Sequence, residues 1–189
     1  VGIGPGSICT TRLVAGIGVP QLSALLEVKK GLNKKVKMIS DGGIKFSGDI
    51  AKALAAGADA VMVGSMLAGT AEAPGNIIKK NGKLFKVFRG MGSVGAMNKG
   101  SADRYFQKKQ KDKSKYVPEG VEGLIKYKGE VSKTIHKLIG GLRSSMGYLG
   151  APEIKYLSKK AKFVKITKAG FYESMVHSID EVKKNSEYL

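Results

Sequence analysis

Cysteine is nearly missing from this 189-residue chain, and Cys9 stands alone. A single thiol excludes an internal disulfide framework and a cysteine-based zinc site. Long apolar runs are missing as well; none approaches the roughly 20 residues of a membrane span. The N-terminus, Val1-Gly2-Ile3-Gly4, has neither the basic start nor the apolar core of a secretory leader, and no initiator Met. A cytosolic location, no membrane partner and a start inside a larger protein are therefore expected. Acidic residues are scarce, 15 against 33 Lys and Arg, and the net charge is +18. Aromatic residues make up only 7%. Nucleic-acid binders cluster their cations and interleave stacking rings. Here lysines are scattered over helix faces and turns, which reads as a solvated surface and not a nucleic-acid site.

What is present is ordinary for a globular domain: 42% hydrophobic and 25% charged residues. Wholesale disorder and collagen-like repeats are excluded. The length suits one domain or somewhat more, with enough chain for a core. The arginines are few: Arg12, Arg89, Arg104 and Arg143, against 33 − 4 = 29 lysines. Each sits beside a Gly-rich or polar motif, where a planar guanidinium fork is not interchangeable with an ammonium.

The first two-fifths alternate strand and helix. Val1–Ile3 reads as a strand end and residues 4–7 as a loop. Gln21–Leu32 has apolar residues at helical spacing. Val36–Ile39 reads as a buried strand before Asp41-Gly42-Gly43. A helix is expected from Ser47 to about Ala56, and a strand over Ala60–Val63 before Gly64-Ser65. This alternation argues for a parallel sheet with crossover helices. Asn81-Gly82 marks a hairpin within 80–87. Residues 90–129 are rich in Gly and Lys, with little apolar periodicity; such a stretch inside a compact domain is functional or disordered. Helical spacing resumes over Val131–Met146, weakened by Gly140-Gly141. A second helix is expected over Ala151–Ala161, with Pro152 in its first turn, and a strand over Phe163–Ile166. The tail from Glu173 is polar.

Cys9 follows a Gly-rich turn after a strand, flanked by Thr10, Thr11 and Arg12. A lone cysteine is often a small buried hydrophobe. Loops after strands are where parallel α/β folds place reactive groups, and a nearby cation favours thiolate. The local context thus favours a nucleophile. Asp41-Gly42-Gly43 and Gly64-Ser65 each follow a strand. Their backbone N–H groups can approach a phosphate, and Asp41 can accept from sugar hydroxyls. Each pair alone also reads as a plain turn. No Walker-type loop occurs. His136 and His177 have no partner at metal spacing.

Taken in order, several segments resemble inosine-5′-monophosphate dehydrogenase, specifically its C-terminal part. They are GPGSICTTR (4–12), SDGGIKFSGDIAKALAAGADAVMVGSMLAG (40–69), FRGMGSVGAM (88–97), DRYFQ (103–107), VPEGVEG (117–123) and GGLRSSMGYLGA (140–151). The related GMP reductases look similar around the cysteine loop and SDGG; DRYFQ and VPEGVEG point to the dehydrogenase. The resemblance implies the C-terminal portion of a (β/α)8 barrel, about strands 6–8, with a mobile flap over about 100–130 and a C-terminal segment over 151–189. It implies a homotetramer that converts IMP, NAD⁺ and water to XMP and NADH. By the same resemblance Cys9 attacks C2 of the purine. Arg104 activates water, helped by Tyr105 and Thr11. Ser7, Gly43, Gly64 and Ser65 hold the phosphate, Asp41 the ribose, and Met91, Gly92 and Glu119 the base. Carbonyls of Gly4, Gly6 and Cys9 bind K⁺, completed by Glu173, Ser174 and Met175 of a neighbour. Tyr148 stacks near the adjacent subunit's NAD.

Three positions depart from the pattern. Phe88 stands where a phosphate-binding Tyr is usual, Met175 replaces a common His, and Leu124 stands where Arg is frequent. A whole barrel needs about 250 residues. A C-terminal fragment, inactive alone, is therefore expected. The rival readings are a GMP reductase, a basic nucleic-acid-binding module and a catalytically dead nucleotide-binding relative.

Overall fold

The computed structural model describes residues 1–33 and 35–180. After a short helix α1 (Thr11–Val14) comes α2 (Gln21–Gly31), then β1 (Ile39–Asp41), α3 (Ser47–Ala55), β2 (Ala60–Met62) and a one-turn α4 (Ser65–Ala68). β1 and β2 are parallel, with Ile39 opposite Ala60 and Asp41 opposite Met62. The N-terminal segment lies on the other edge of β1. Val1 donates its ammonium to the Ile39 carbonyl (2.6 Å), and its own carbonyl accepts from the Asp41 N–H (2.8 Å). It is not a full strand, as the sequence suggested, but it pairs as one does in a parallel ladder. Three chain segments thus run the same way and deliver their following loops to one edge.

The helix α3 is built from alanines and closed at its start by Asp49. That carboxylate accepts from the backbone N–H groups of Lys45 and Phe46, both at 3.0 Å, satisfying donors that the helix start leaves open. Its buried face, Ile50, Ala51, Leu54 and Ala55, packs on α6 (Val131–Tyr148). The Gly140-Gly141 pair does not interrupt α6. A Cβ at Gly141 would stand 2.1 Å from the Ser47 hydroxyl, so the glycine is what lets the two helices meet there. The main core joins Leu25, Met38, Ile44, Leu54, Leu138 and Leu157.

A separate antiparallel sheet follows the α/β part: β3 (Ile77–Lys80), β4 (Lys83–Arg89) and β5 (Glu122–Lys126), in that order. Asn81 and Gly82 turn β3 into β4, both with positive φ (50° and 72°), as a two-residue hairpin of this type requires. Between β4 and β5 lie α5 (Val94–Ala96), irregular helical turns to Tyr105, and a long loop. Met97, Ala102 and Tyr116 form a second small core beneath that loop.

The structure corrects several expectations. The strand before Asp41 begins at Ile39 and not at Val36, whose N–H closes a turn onto Asn33. Residues 122–126, inside the expected flap, form β5, because β4 offers an edge with Phe88 opposite Gly123. The helix expected over 151–161 reduces to a tight turn at Ile154–Tyr156 and α7 (Leu157–Lys160). Pro152 cannot donate, and Glu153 is extended (φ −138°, ψ 155°). Phe163–Ile166 is not a strand, since no sheet edge receives it, and Val164 is 83% exposed. α8 (Lys168–Glu173) is the last helix of the described residues. Part of the C-terminal segment, 181–189, lies outside the described residues. The described residues form a mixed α/β unit with no closed barrel.

Candidate functional site

The Cys9 loop is held from both sides. The Thr10 N–H donates to the Glu119 carbonyl (2.8 Å), and the Val121 N–H donates to the Ile8 carbonyl (3.0 Å). Cys9 and Gly120 thereby form an antiparallel bridge. The loop after β4 joins the same cluster: Gly90 N–H donates to Val121 carbonyl, and Glu119 N–H to Gly92 carbonyl, both at 2.9 Å. Gly92 is buried, and a Cβ there would lie 2.9 Å from the Tyr105 ring. The chain therefore brings Cys9, Gly92, Tyr105 and Glu119 together from four stretches distant in sequence.

Cys9 is half-buried, and its Sγ lies 3.2 Å from Thr11 Oγ1, to which it donates. Thr11 opens α1. Burial pushes the Tyr105 hydroxyl above its ordinary value; the negative charges of Cys9 and Glu119 act in the same direction, and Arg104 opposes them. Tyr105 thus stays a neutral hydrogen-bond donor at neutral pH. Arg104 is exposed, and its backbone N–H donates to Asp103 Oδ1 at 2.9 Å.

The Gly-rich loops stand at the edge set by the parallel segments. Gly42 (φ +84°) faces Pro5, whose Cγ would be 2.8 Å from a Cβ on Gly42. Only a glycine lets the Asp41–Gly43 turn sit this close to the Cys9 loop. Ser7, Asp41, Gly43 and Gly64 are exposed and Ser65 is half-buried. Met91 is 49% exposed, and its carbonyl accepts from the Ser101 hydroxyl. Phe88 is half-buried within β4. A cleft of about 540 Å³ opens beside Glu119, between Val14-Ala15 and the 106–117 loop.

The remaining expected residues are not gathered there. Tyr148, at the end of α6, is 94% exposed. Glu173, Ser174 and Met175 are exposed, and the described hydrogen bonds of Ser174 and Met175 stay within α8 and its end. Among the described residues no three His, Cys, Asp or Glu side chains group as a metal site. No described helix is long and apolar enough to cross a membrane.

Sequence reasoning passed over three buried or paired groups. Lys86 is 2% exposed and donates to three carbonyls. Ser93, also 2% exposed, donates to Glu122 Oε1 (2.8 Å). Gln107 pairs with both backbone groups of Val117. Lys86 carried no signal, since a strand Lys reads as exposed. Gln107 lay in plain sight as the last residue of DRYFQ.

A parallel α/β unit with a thiol on one post-strand loop and glycine turns on the next two has the layout of an α/β enzyme domain, which places its functional groups on such loops. The chain belongs to the IMP dehydrogenase / GMP reductase family, whose domain description matches residues 1–177. It is 59% identical over 186 residues to the inosine-5′-monophosphate dehydrogenase of Methanocaldococcus jannaschii, covering 95% of this chain and 38% of that protein. It is 56% identical over 189 residues to the Bacillus subtilis enzyme (100% and 38%) and 54% identical over 189 residues to that of Cryptosporidium parvum (100% and 47%). The chain spans 38–47% of the length of these curated relatives.

Proposed function

We propose that this chain supplies the nucleophile, phosphate loops and flap of an enzyme that oxidises IMP to XMP. Several relatives bear the dehydrogenase name. The observation that carries the reading is the enclosure of the Cys9–Thr11 pair by Gly92, Tyr105 and Glu119.

In this reading Cys9 Sγ forms a bond to C2 of the hypoxanthine ring. The hydride at C2 leaves to NAD⁺, which supplies the two-electron sink when bound. A thioimidate between Cys9 and the purine remains. Water then adds at C2, the C2–S bond breaks, and Cys9 regains its proton. Thr11 Oγ1, accepting from the thiol at 3.2 Å, orients Sγ for the attack, and the thiol proton passes to solvent as the C2–S bond forms. Arg104 takes a proton from the incoming water as it adds, helped by Tyr105 and Thr11, and later releases that proton to solvent. Glu119 and the Met91–Gly92 backbone address the purine edge. Ser7, Gly43, Gly64 and Ser65 hold the phosphate and Asp41 the ribose hydroxyls.

Neutral carbonyls of Gly4, Gly6 and Cys9 suit a large monovalent cation such as K⁺. The Gly6 carbonyl already accepts from Cys9 N–H (3.2 Å) and keeps its second lone pair. Such an ion would stiffen the nucleophile's loop, with Glu173–Met175 of a neighbour completing its shell. The exposed Tyr148 ring offers a stacking face for a neighbour's NAD, which fits a homotetramer. A complete (β/α)8 barrel and a cytoplasmic setting belong to the same reading, as does a flap within about 100–130, ahead of β5, that moves between the two half-reactions.

Intact-mass spectrometry of the native full-length protein, acid-quenched after IMP and NAD⁺, tests this. An adduct of nucleotide mass that Cys9→Ala abolishes, with rising NADH absorbance, is expected. Ammonia release with NADPH would instead point to the reductase reaction. IMP binding without adduct or NADH would refute the proposal.

A further inference from the structure

The loop between DRYFQ and VPEGVEG is closed on itself by one side chain. Gln107 Nε2 donates to the Val117 carbonyl (2.8 Å), and Gln107 Oε1 accepts from the Val117 N–H (2.9 Å). A primary amide here does what a facing strand would do: it satisfies both backbone groups of one residue. The geometry depends on Phe106, which is left-handed (φ 57°, ψ 25°) and 101% exposed. This turn is one that a non-Gly residue adopts only against its steric preference. It reverses the chain so that Gln107, whose N–H donates to Ala102 (3.1 Å), aims its amide back at the return leg. A second tie follows inside the loop, where the Gln110 N–H donates to the Tyr116 hydroxyl (2.9 Å). Tyr116 is buried against Met97 and Ala102.

Gln107 is two residues past Tyr105, and Val117 is two residues before Glu119. The clamp therefore fixes the separation of the two legs that carry Arg104 and Tyr105 on one side and Glu119 on the other. We propose that Gln107 is a positioning residue for the water-addition step: its amide makes the 104–119 segment one rigid body, so that Arg104 and Tyr105 arrive at the purine in register with Glu119. This rests on the dehydrogenase reading above. Cys9 and the phosphate loops lie outside the segment, and Glu119 keeps its own backbone bonds to Thr10 and Gly92 without the clamp, so Cys9 attack and hydride loss depend on the clamp far less than water addition does.

The test uses the native full-length protein and the variants Gln107→Leu and Gln107→Glu. Leu removes both bonds. Glu keeps the acceptor for Val117 N–H and turns a carboxylate oxygen toward the Val117 carbonyl. Rapid-mixing absorbance at 340 nm separates the first NADH burst from steady turnover, and acid-quenched intact mass counts the adduct. Expected are a burst rate within about twofold of wild type, steady turnover about tenfold slower, and a larger adduct fraction, with Leu at least as affected as Glu. Hydrogen exchange should quicken at 107–117 and stay unchanged in α6, which separates a local opening from a misfolded variant. Unchanged turnover, or burst and turnover falling together, would overturn the proposal. If wild type itself forms neither burst nor adduct, the dehydrogenase reading fails, and the inference falls with it.

Discussion

Replacing Lys86 by Met should cost the protein about 3 kcal/mol of stability, a size expected for cutting a buried polar network. Lys86 lies on β4 and is 2% exposed. Its ammonium donates to the carbonyls of Thr70 (3.0 Å), Ala71 (3.2 Å) and Ala73, so its three N–H bonds meet three acceptors. Met keeps the stem length and apolar packing and removes all three donors. Thr70 is 1% exposed, so its carbonyl gains no water in exchange. Ala71 is exposed and Ala73 partly so, and water can reach their carbonyls once the ammonium is gone. Hydrogen bonds to charged groups contribute about 1.5–3 kcal/mol each, and an acceptor left dry costs about 1–3 kcal/mol. The one dry carbonyl costs about 1–3 kcal/mol, and the upper end is expected because the other two carbonyls exchange a charge-assisted bond for one to water. Urea unfolding of the native protein, followed by circular dichroism, reads it directly. With a slope of about 2 kcal/mol/M the midpoint should fall by about 1.5 M at unchanged slope. Lys86→Arg should lose at least half as much, because a planar fork cannot aim three donors from one nitrogen. A loss below about 1 kcal/mol for Met would refute the reasoning, since it would mean that the Thr70 carbonyl is wet or re-paired.

Three further outcomes are expected. Gly42→Ala places a Cβ 2.8 Å from Pro5 Cγ at φ +84°; it should cost about 1–2 kcal/mol by thermal denaturation and weaken IMP binding by calorimetry, and an unchanged affinity would detach this turn from the site. One of the seven tyrosines should ionise late in an absorbance titration at 295 nm, and Tyr105→Phe should remove it. Because its folded pKa lies above the unfolded value, that contribution to stability is present below pH about 10 and is lost as pH rises through the folded value; a titration in which all tyrosines coincide would refute this. Asp59 is held below the usual carboxylate range, first by the Met38 N–H and then by Lys37. Its contribution is present above the unfolded value and lost as pH falls through the folded one, so Asp59→Asn should flatten the acid limb of stability against pH, and an unchanged limb would exclude the role.

Elements whose chemistry is local were legible in the sequence. The Ala-rich stretch with Asp49 at its start reads as α3, and Asn81-Gly82 reads as a hairpin because both residues tolerate positive φ. Elements defined by a partner were not. Glu122–Lys126 has no strong alternation and becomes a strand only because β4 presents an edge. Phe163–Ile166 has strand composition and no edge to join. Gly140-Gly141 reads as a helix weakness until Ser47 is seen pressing against it. Within the site, the residue types of Cys9, Asp41-Gly42-Gly43 and Gly64-Ser65 could be read in advance. The fastening of Glu119 to Thr10 could not, because it is a backbone bond.

The closure of the chain at Gln107 and Val117 also bears on how such a sequence can vary. The Cys9–Gly120 bridge pins the return leg below, and the amide pair ties the outgoing leg to it above. The lysine-rich stretch from Lys108 to Lys115 therefore leaves one point and comes back to it. Residues can be added between Lys111 and Lys115, past the Gln110–Tyr116 tie, or a tag or fluorophore grafted there, without shifting the register of anything beneath. The same change one step outside the pins would displace the thiol's own loop.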